Sequence, residues 1–362
     1  MKNLKEVAEK IKESDNIILY TDSDLDGVTS GLIAKKTLEA IGKEPLIFFT
    51  DKEKRGYGLS SESLKMFDDK SPGLLITMDC GISDFSGVRE AKKMGFEVII
   101  IDHHKPHEKV PDADIIVCPK LNTDKFKERP NAGIILELSE LLLGQKEPEF
   151  IELTALAIFG DMMPHKGPNA EVLYMAKQNF PVTVGVESFQ EIINVKKPLP
   201  LFQEISPILN VTEMISNTPE AFLFFLITEK DHAKILARKM LNAYKRRKDR
   251  VEKIKDILLQ KNKDQEIIFA GNEDWPSFIL GKIASQLVSE VKKPVFIYKK
   301  KDEIAQGSVR VPKGYDAVEA MKSSDSILEN YGGHPPAAGF TIKVENLDQF
   351  EKNLIKYFKN IN

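Results

Sequence analysis

Three aspartates alternate along the segment Asp22-Ser23-Asp24-Leu25-Asp26-Gly27. Carboxylates this close repel one another strongly unless a cation lies among them. Asp79 stands in Met78-Asp79-Cys80-Gly81, Asp102 is followed by His103 and His104, and Asp161 follows Gly160. Four or five carboxylates with an imidazole suit a hard-to-borderline divalent ion, Mn²⁺ or Mg²⁺. Two such ions about 3.5–4 Å apart clamp a phosphoryl group and generate hydroxide, so the chemistry indicated is phosphate-ester hydrolysis. Taken singly, each piece has an ordinary explanation as a solvated turn or a structural histidine. Their common placement is what gives them weight.

That placement is at the ends of predicted strands. Residues 16–20 are an apolar run before Asp22, residues 74–78 end at Asp79, and residues 97–101 run into Asp102. A further strand is predicted over residues 46–49. Between them Leu32, Ile33, Leu38 and Ile41 recur at helical spacing before Gly42, and residues 83–94 do so before Gly95. Strands alternating with helices predict an α/β fold with a mostly parallel sheet. In such sheets ligands bind beyond the carboxyl ends of the strands, where these acidic segments lie.

Residues 133–260 read mainly as helical, with 133–143 and 151–159 apolar enough to be buried and Asp161 just past the second run. Pro198, Pro200 and Pro207 mark connectors. Residues 237–261 read as a long charged helix bearing Lys245, Arg246, Arg247, Lys248 and Arg250, with a solvated basic face. Beyond it, strand-like runs over 266–270 and 294–298 flank a helical spacing of Ile279, Ile283, Leu287 and Val291, giving a second, smaller α/β unit. The expected organisation is a first domain over 1–236 with a helical insert, a linker helix over 237–262 and a second domain over 263–362.

With 362 residues, 30% charged and 42% hydrophobic, the chain has the material for two buried cores. A formal net charge of −3 excludes a globally basic protein that coats nucleic acid. No apolar stretch approaches the roughly 20 residues of a membrane span. The N-terminus opens a charged amphipathic segment, so no signal peptide is expected. Two cysteines, Cys80 and Cys118, cannot make a disulfide framework or a four-thiolate site, and a cytoplasmic location is expected.

In order and spacing, the segments around Asp22-Asp24-Asp26, Asp79, Asp102-His103-His104 and Asp161 resemble the four motifs of the DHH phosphoesterase superfamily. Tyr331-Gly332-Gly333-His334-Pro335-Pro336-Ala337-Ala338-Gly339-Phe340 resembles the signature of the DHH-associated C-terminal domain. Gly56-Tyr57-Gly58-Leu59, Asp161-Met162-Met163-Pro164, Gly281-Lys282-Ile283-Ala284-Ser285 and Gly307-Ser308-Val309-Arg310 make the likeness greatest to RecJ-like nucleases. It extends from about residue 15 to 355.

The resemblance implies a two-metal phosphodiesterase, with two Mn²⁺ ions or Mg²⁺ in their place and an active-site cleft between the domains. Asp22 and Asp24 would serve one ion, Asp26, His103 and Asp161 the other, and Asp79 both. Asp102 and His104 would orient the ligands and touch the phosphate. Ser308, Arg310, Gly332, Gly333 and His334 would hold substrate phosphates, Arg310 through its bidentate guanidinium. The implied activity is exonucleolytic, on single-stranded DNA or RNA. The alternatives are a nanoRNase-like hydrolase of short oligonucleotides or cyclic dinucleotides, and a replication component that pairs with GINS. Longer bacterial relatives carry an OB-fold-like domain, which this chain is expected to lack. Lys52, Lys54 and Arg55 are candidates for a further substrate contact, and Cys80 is read as packing.

Overall fold

The computed structural model describes residues 1–51, 58–121, 125–178, 180–211, 213–262 and 265–361. Residues 56 and 57 of the Gly-Tyr-Gly-Leu segment, with Lys52, Lys54 and Arg55, lie outside the described residues. The chain divides into two units, Met1–Tyr244 and Lys245–Asn362.

In the first unit, β1 (Ile17–Thr21) is buried along its whole length, as a parallel strand covered on both faces must be. With β2 (Leu46–Phe49), β3 (Gly73–Met78), β4 (Phe96–Ile101) and β5 (Ile115–Val117) it forms a sheet of order β2-β1-β3-β4-β5, every pair parallel. Ile17 and Leu19 face one core, shared with α1 (Leu4–Glu13) and α2 (Leu25–Ala40). Ile18 and Tyr20 face the other, shared with α3 (Ser61–Leu64) and α4 (Phe85–Lys93). The strand order reverses between β1 and β3, which makes their carboxyl ends the place where a ligand fits.

Helix α2 starts earlier than the spacing of Leu32 onward suggests. Asp24 caps it by accepting from the Gly27 N–H at 3.1 Å. Most of α2 is buried all round, which removes the one-sided periodicity that marks a surface helix. Gly27 is required by a close approach, because a Cβ there would lie 2.2 Å from the Asp22 carbonyl oxygen.

The helical insert consists of α5 (Asn131–Leu143), α6 (Pro148–Gly160), α7 (Gly167–Ala176), α8 (Val184–Ile193) and α9 (Pro198–Leu209), a ribbon of β6 (Met214–Ile215) and β7 (Thr218–Pro219), and α10 (Glu220–Phe225). The prolines expected to mark connectors instead lie in α9. Pro198 and Pro200 occupy its first turn, where the N–H groups have no partner within the helix in any case. Pro207 comes two residues before the helix ends. Helix α11 (Lys230–Lys261) begins seven residues before the expected linker, and the two units divide within it.

The second unit holds β8 (Ile268–Gly271), α12 (Ser277–Val291), β9 (Val295–Lys301), β10 (Ile304–Arg310), α13 (Ala317–Lys322), β11 (Leu328–His334), β12 (Ala337–Lys343) and α14 (Leu347–Lys359). Its sheet has the order β11-β12-β10-β9-β8, parallel only between β8 and β9. The sequence pattern shows β8 and β9 but not the three antiparallel strands, which are rich in glycine and polar residues and carry a weak strand signal. Phe296, Phe340 and Phe350 form the centre of one core, and Ile279, Ile283 and Leu287 pack α12 onto the other face. The basic run on α11 is not wholly a solvated face. The Arg247 guanidinium lies 3.9 Å from the Phe278 ring centroid, and Arg250 donates to the Asp274 carbonyl. Among the described residues no helix is long and apolar enough to cross a membrane.

Candidate metal centre

The first unit gathers the predicted acidic residues at the carboxyl ends of β1, β3 and β4. Their ligand atoms fall into three overlapping groups, each within 4.8 Å: Asp22, Asp24 and Asp79; Asp26, His103 and Asp161; Asp79, His103 and His104. His103 Nε2 lies 3.1 Å from Asp79 Oδ1, 3.5 Å from Asp161 Oδ2 and 3.7 Å from Asp26 Oδ2. Asp161 arrives from a separate direction, as the residue that ends α6.

His103 Nδ1 lies 2.9 Å from the Arg129 carbonyl oxygen. A carbonyl only accepts, so Nδ1 carries the proton and Nε2 turns a lone pair toward the carboxylates. Both His103 Nε2 and Asp79 Oδ1 are buried and make no hydrogen bond. With Asp79 ionised these are two acceptors 3.1 Å apart that repel each other, and a cation between them removes the repulsion. That separation also matches neighbouring ligands of an octahedral ion with bonds of about 2.1 Å. The donor set therefore fits divalent metal.

The electrostatics agree. Burial, then the charges of Asp26, Asp24, Asp22 and Asp161, push the Asp79 carboxyl well above the usual carboxylate range. Burial also raises Asp26, against the pull of His103 and of the Ala132 and Asn131 N–H groups. Asp161 is pushed up to about 9 by burial, Asp26 and Asp24. By themselves these groups cannot all be ionised at neutral pH.

Asp102 behaves differently. Burial pushes its carboxyl up, but the hydrogen bond and charge of His104 and the His104 and Ile82 N–H groups outweigh this and hold it low. Its Oδ1 lies 2.8 Å from His104 Nδ1, and that bond raises the pKa of His104. His104 is half-exposed and its Nδ1 lies 3.9 Å from Asp79 Oδ1, beside the cluster. Cys80 is buried against the β-sheet, and burial raises its thiol far above the range of a nucleophile.

Sequence reasoning missed the residues that hold this set in place. Asn131 N and Ala132 N, the first N–H groups of α5, donate to Asp26 Oδ2 and Oδ1 at 2.5 and 2.8 Å. The Asn131 side chain, in the amide orientation that satisfies both ends, donates to the Ile101 carbonyl at 3.0 Å and accepts from Asp79 N at 3.1 Å. Asp79 has a left-handed backbone, φ 58°, a strained state that needs such support. Asp22 Oδ1 accepts from Thr50 Oγ1 at 2.5 Å. The one signal for the α5 brace is Pro130 before an apolar helix, which places the helix start two residues ahead of the predicted 133.

The predicted phosphate-binding residues form a separate group in the second unit. Ser308 and Arg310 lie on β10, and Gly332, Gly333 and His334 on β11, joined through β12 by the pairs Ser308–Gly339–Gly332 and Arg310–Ala337–His334. Arg310 Nε donates to Ser285 Oγ at 3.2 Å, and among the described residues it has no carboxylate partner. Burial lowers its pKa.

Comparison with known proteins matches residues 16–158 to the DHH family, N-terminal domain, and residues 264–360 to the DHHA1 domain. The single-stranded-DNA-specific exonuclease RecJ of Bacillus subtilis is 29% identical over 98% of this chain and 47% of its own length. Among solved structures, an exonuclease RecJ bound to manganese superposes with a TM-score of 0.89 at 26% identity, over 99% of this chain and 95% of that one. RecJ from Thermus thermophilus in complex with Mn²⁺ gives 0.84 at 26% identity, over 99% and 55%. The chain spans about half the length of the curated relatives it matches.

Proposed function

This chain belongs to the DHH family, with a DHHA1 domain as its second unit, and from that premise we propose that it is a metal-dependent exonuclease of single-stranded nucleic acid. The observation that carries the reading is the buried pair of unsatisfied acceptors, Asp79 Oδ1 and His103 Nε2, in a site whose acids cannot all be charged alone. RecJ relatives with manganese in their structures support it.

In this reading Asp22, Asp24, Asp26, Asp79, His103 and Asp161 would hold the divalent metal. When bound, Mn²⁺ or Mg²⁺ supplies positive charge that acidifies water and neutralises a phosphodiester. The Arg129 carbonyl keeps His103 in the tautomer that offers Nε2. Asp102 anchors His104 through Nδ1 and raises its pKa, which favours the exposed ring as a proton-bearing donor to a phosphate oxygen as negative charge develops. In the second unit Arg310, Ser308 and His334 grip phosphates of the strand, and Gly332 and Gly333 admit the backbone closely. DNA or RNA strands are the substrates, and the cytoplasm is the site of action.

The test is incubation with Mn²⁺ and end-labelled DNA and RNA strands, from dinucleotides to about 30 nucleotides, beside Asp79→Asn. Asparagine tolerates the left-handed backbone, so the variant folds while losing the carboxylate charge. Stepwise shortening of long strands by the wild type is expected, with the variant slower by about 10³-fold or more. Cleavage confined to the shortest strands would move the assignment to oligonucleotide hydrolysis. No cleavage despite bound metal would favour a replication component.

A further inference from the structure

Helix α6 ends on Asp161, and the residue after it is out of keeping with its place. The Met163 N–H donates to the Ile158 carbonyl at 2.9 Å, and the Met162 N–H to the Phe159 carbonyl at 3.3 Å. These two bonds make a Schellman stop, with Ile158 and Met163 both in the core beneath it. Such a stop puts its middle residue in the left-handed region, which glycine enters without steric cost. Just past α2, α4 and α5 this chain has Gly42, Gly95 and Gly144, all at positive φ, and past α8 it has Asn194. Past α6 it has Met162, at φ 51°. Among the described residues Met162 is the one apolar side chain at positive φ, the others being Asn, Asp, Ser, Lys or Gly.

Met162 is also 89% exposed, more than any other large hydrophobic side chain among the described residues. It therefore gains almost nothing from packing, while its backbone is held against its preference. Glycine would remove both costs and leave the helix stop intact. Strain of this kind gathers at functional sites, where a side chain is needed at a fixed place. The place here is defined by the residue before it. Asp161 Oδ2 lies 3.5 Å from His103 Nε2, and the Asp161 side chain is 20% exposed, so the metal centre is open to solvent on this side.

We infer that Met162 is a substrate contact, its side chain packing against the base of a nucleotide whose phosphate lies at the metal centre. The inference rests on the reading of the chain as a single-strand nuclease and adds a base contact on the first unit. A phosphodiester drawn to the acidic cluster brings its sugar and base to the rim of that cluster. A charged side chain on the rim would compete for the ions or the phosphate, and a hydrogen-bonding one would select among bases. A thioether does neither. Its three rotatable bonds let it fit a purine or a pyrimidine, and its sulfur packs favourably on an aromatic ring. The contact holds the strand without regard to sequence, and the left-handed backbone fixes the direction in which the side chain leaves the helix end.

The test compares wild type, Met162→Ala, Met162→Leu and Met162→Gly, each as the full chain with Mn²⁺, on dT tetramers and on tetramers of the same backbone without bases. Alanine keeps the backbone preference and removes the side chain. Its kcat/KM should fall by about tenfold on dT and by no more than about twofold on the abasic strand, with Mn²⁺ affinity unchanged. Leucine should recover most of the loss. Glycine should lose as much activity as alanine and yet melt about 2–4 °C above wild type, because the strain is gone. An alanine variant as fast as wild type on dT, or one slowed equally on both strands, would overturn the base contact and leave the nuclease assignment standing. A leucine variant no better than alanine, or a glycine variant that melts no higher than wild type, would do the same. A fall in Mn²⁺ affinity with alanine would also overturn it, by showing that Met162 acts through the placement of Asp161. Cleavage of neither strand by the wild type would overturn the nuclease assignment and the base contact with it.

Discussion

Asp79, Asp26 and Asp161 are carboxyls that the fold makes hard to ionise, and the cause in each case is burial first and neighbouring acids second. A carboxyl whose pKa is raised on folding binds its proton more tightly in the folded chain. Its contribution to stability is therefore present below its ordinary pKa, about 3.9, and is lost as pH rises through the folded value. For Asp161 that loss extends up to about 9. A divalent ion reverses this, because the ionised acids then have a partner. Metal-free protein should thus melt at progressively lower temperature as pH is raised over this window. The gain from added Mn²⁺ should widen in parallel, and a gain independent of pH would count against the assigned ligands.

At the scale of elements, the candidate metal centre is braced by a helix that supplies none of the proposed ligands. The start of α5 fixes Asp26 through two N–H groups, Asp79 through the Asn131 amide, and His103 through the carbonyl of Arg129 just before it. Asn131→Ala should lower Mn²⁺ affinity by about 10–100-fold, as loss of a ligand-orienting partner does, while helix content is retained. It should also cost about 1–3 kcal/mol of stability, because the buried Ser30 hydroxyl loses its partner, while the Asp79 N–H keeps the Ile101 carbonyl. Titration calorimetry with Mn²⁺, run beside thermal melting, separates the two effects. An unchanged affinity would reduce α5 to ordinary packing.

In the whole molecule the proposed metal ligands all belong to the first unit and the phosphate-binding candidates to the second. This division of labour gives a clean expectation for Arg310→Ala. Mn²⁺ affinity should be unchanged, while single strands bind more weakly and with a salt slope shallower by about 0.7 for each phosphate the side chain no longer neutralises. Fluorescence anisotropy across a salt series measures the slope. A fall in metal affinity would show that the residues do not divide in this way.

The acidic set and its position at the ends of parallel strands were legible in the order of residues alone. Both are local facts: a run of buried apolar residues, a short turn and a carboxylate within a few positions. Helix α9 escaped because prolines in a first turn look like those of a connector, and β10 to β12 escaped because glycine and polar residues give little strand signal. What holds the ligands, and which strand residues stand opposite one another, was settled by the folded chain. Asp26 meets the α5 N–H groups across more than a hundred positions of chain, and Ser308 joins Gly332 only through the register of the strand between them. Those contacts arise from packing and strand pairing, which join residues whose separation along the chain carries no period or motif.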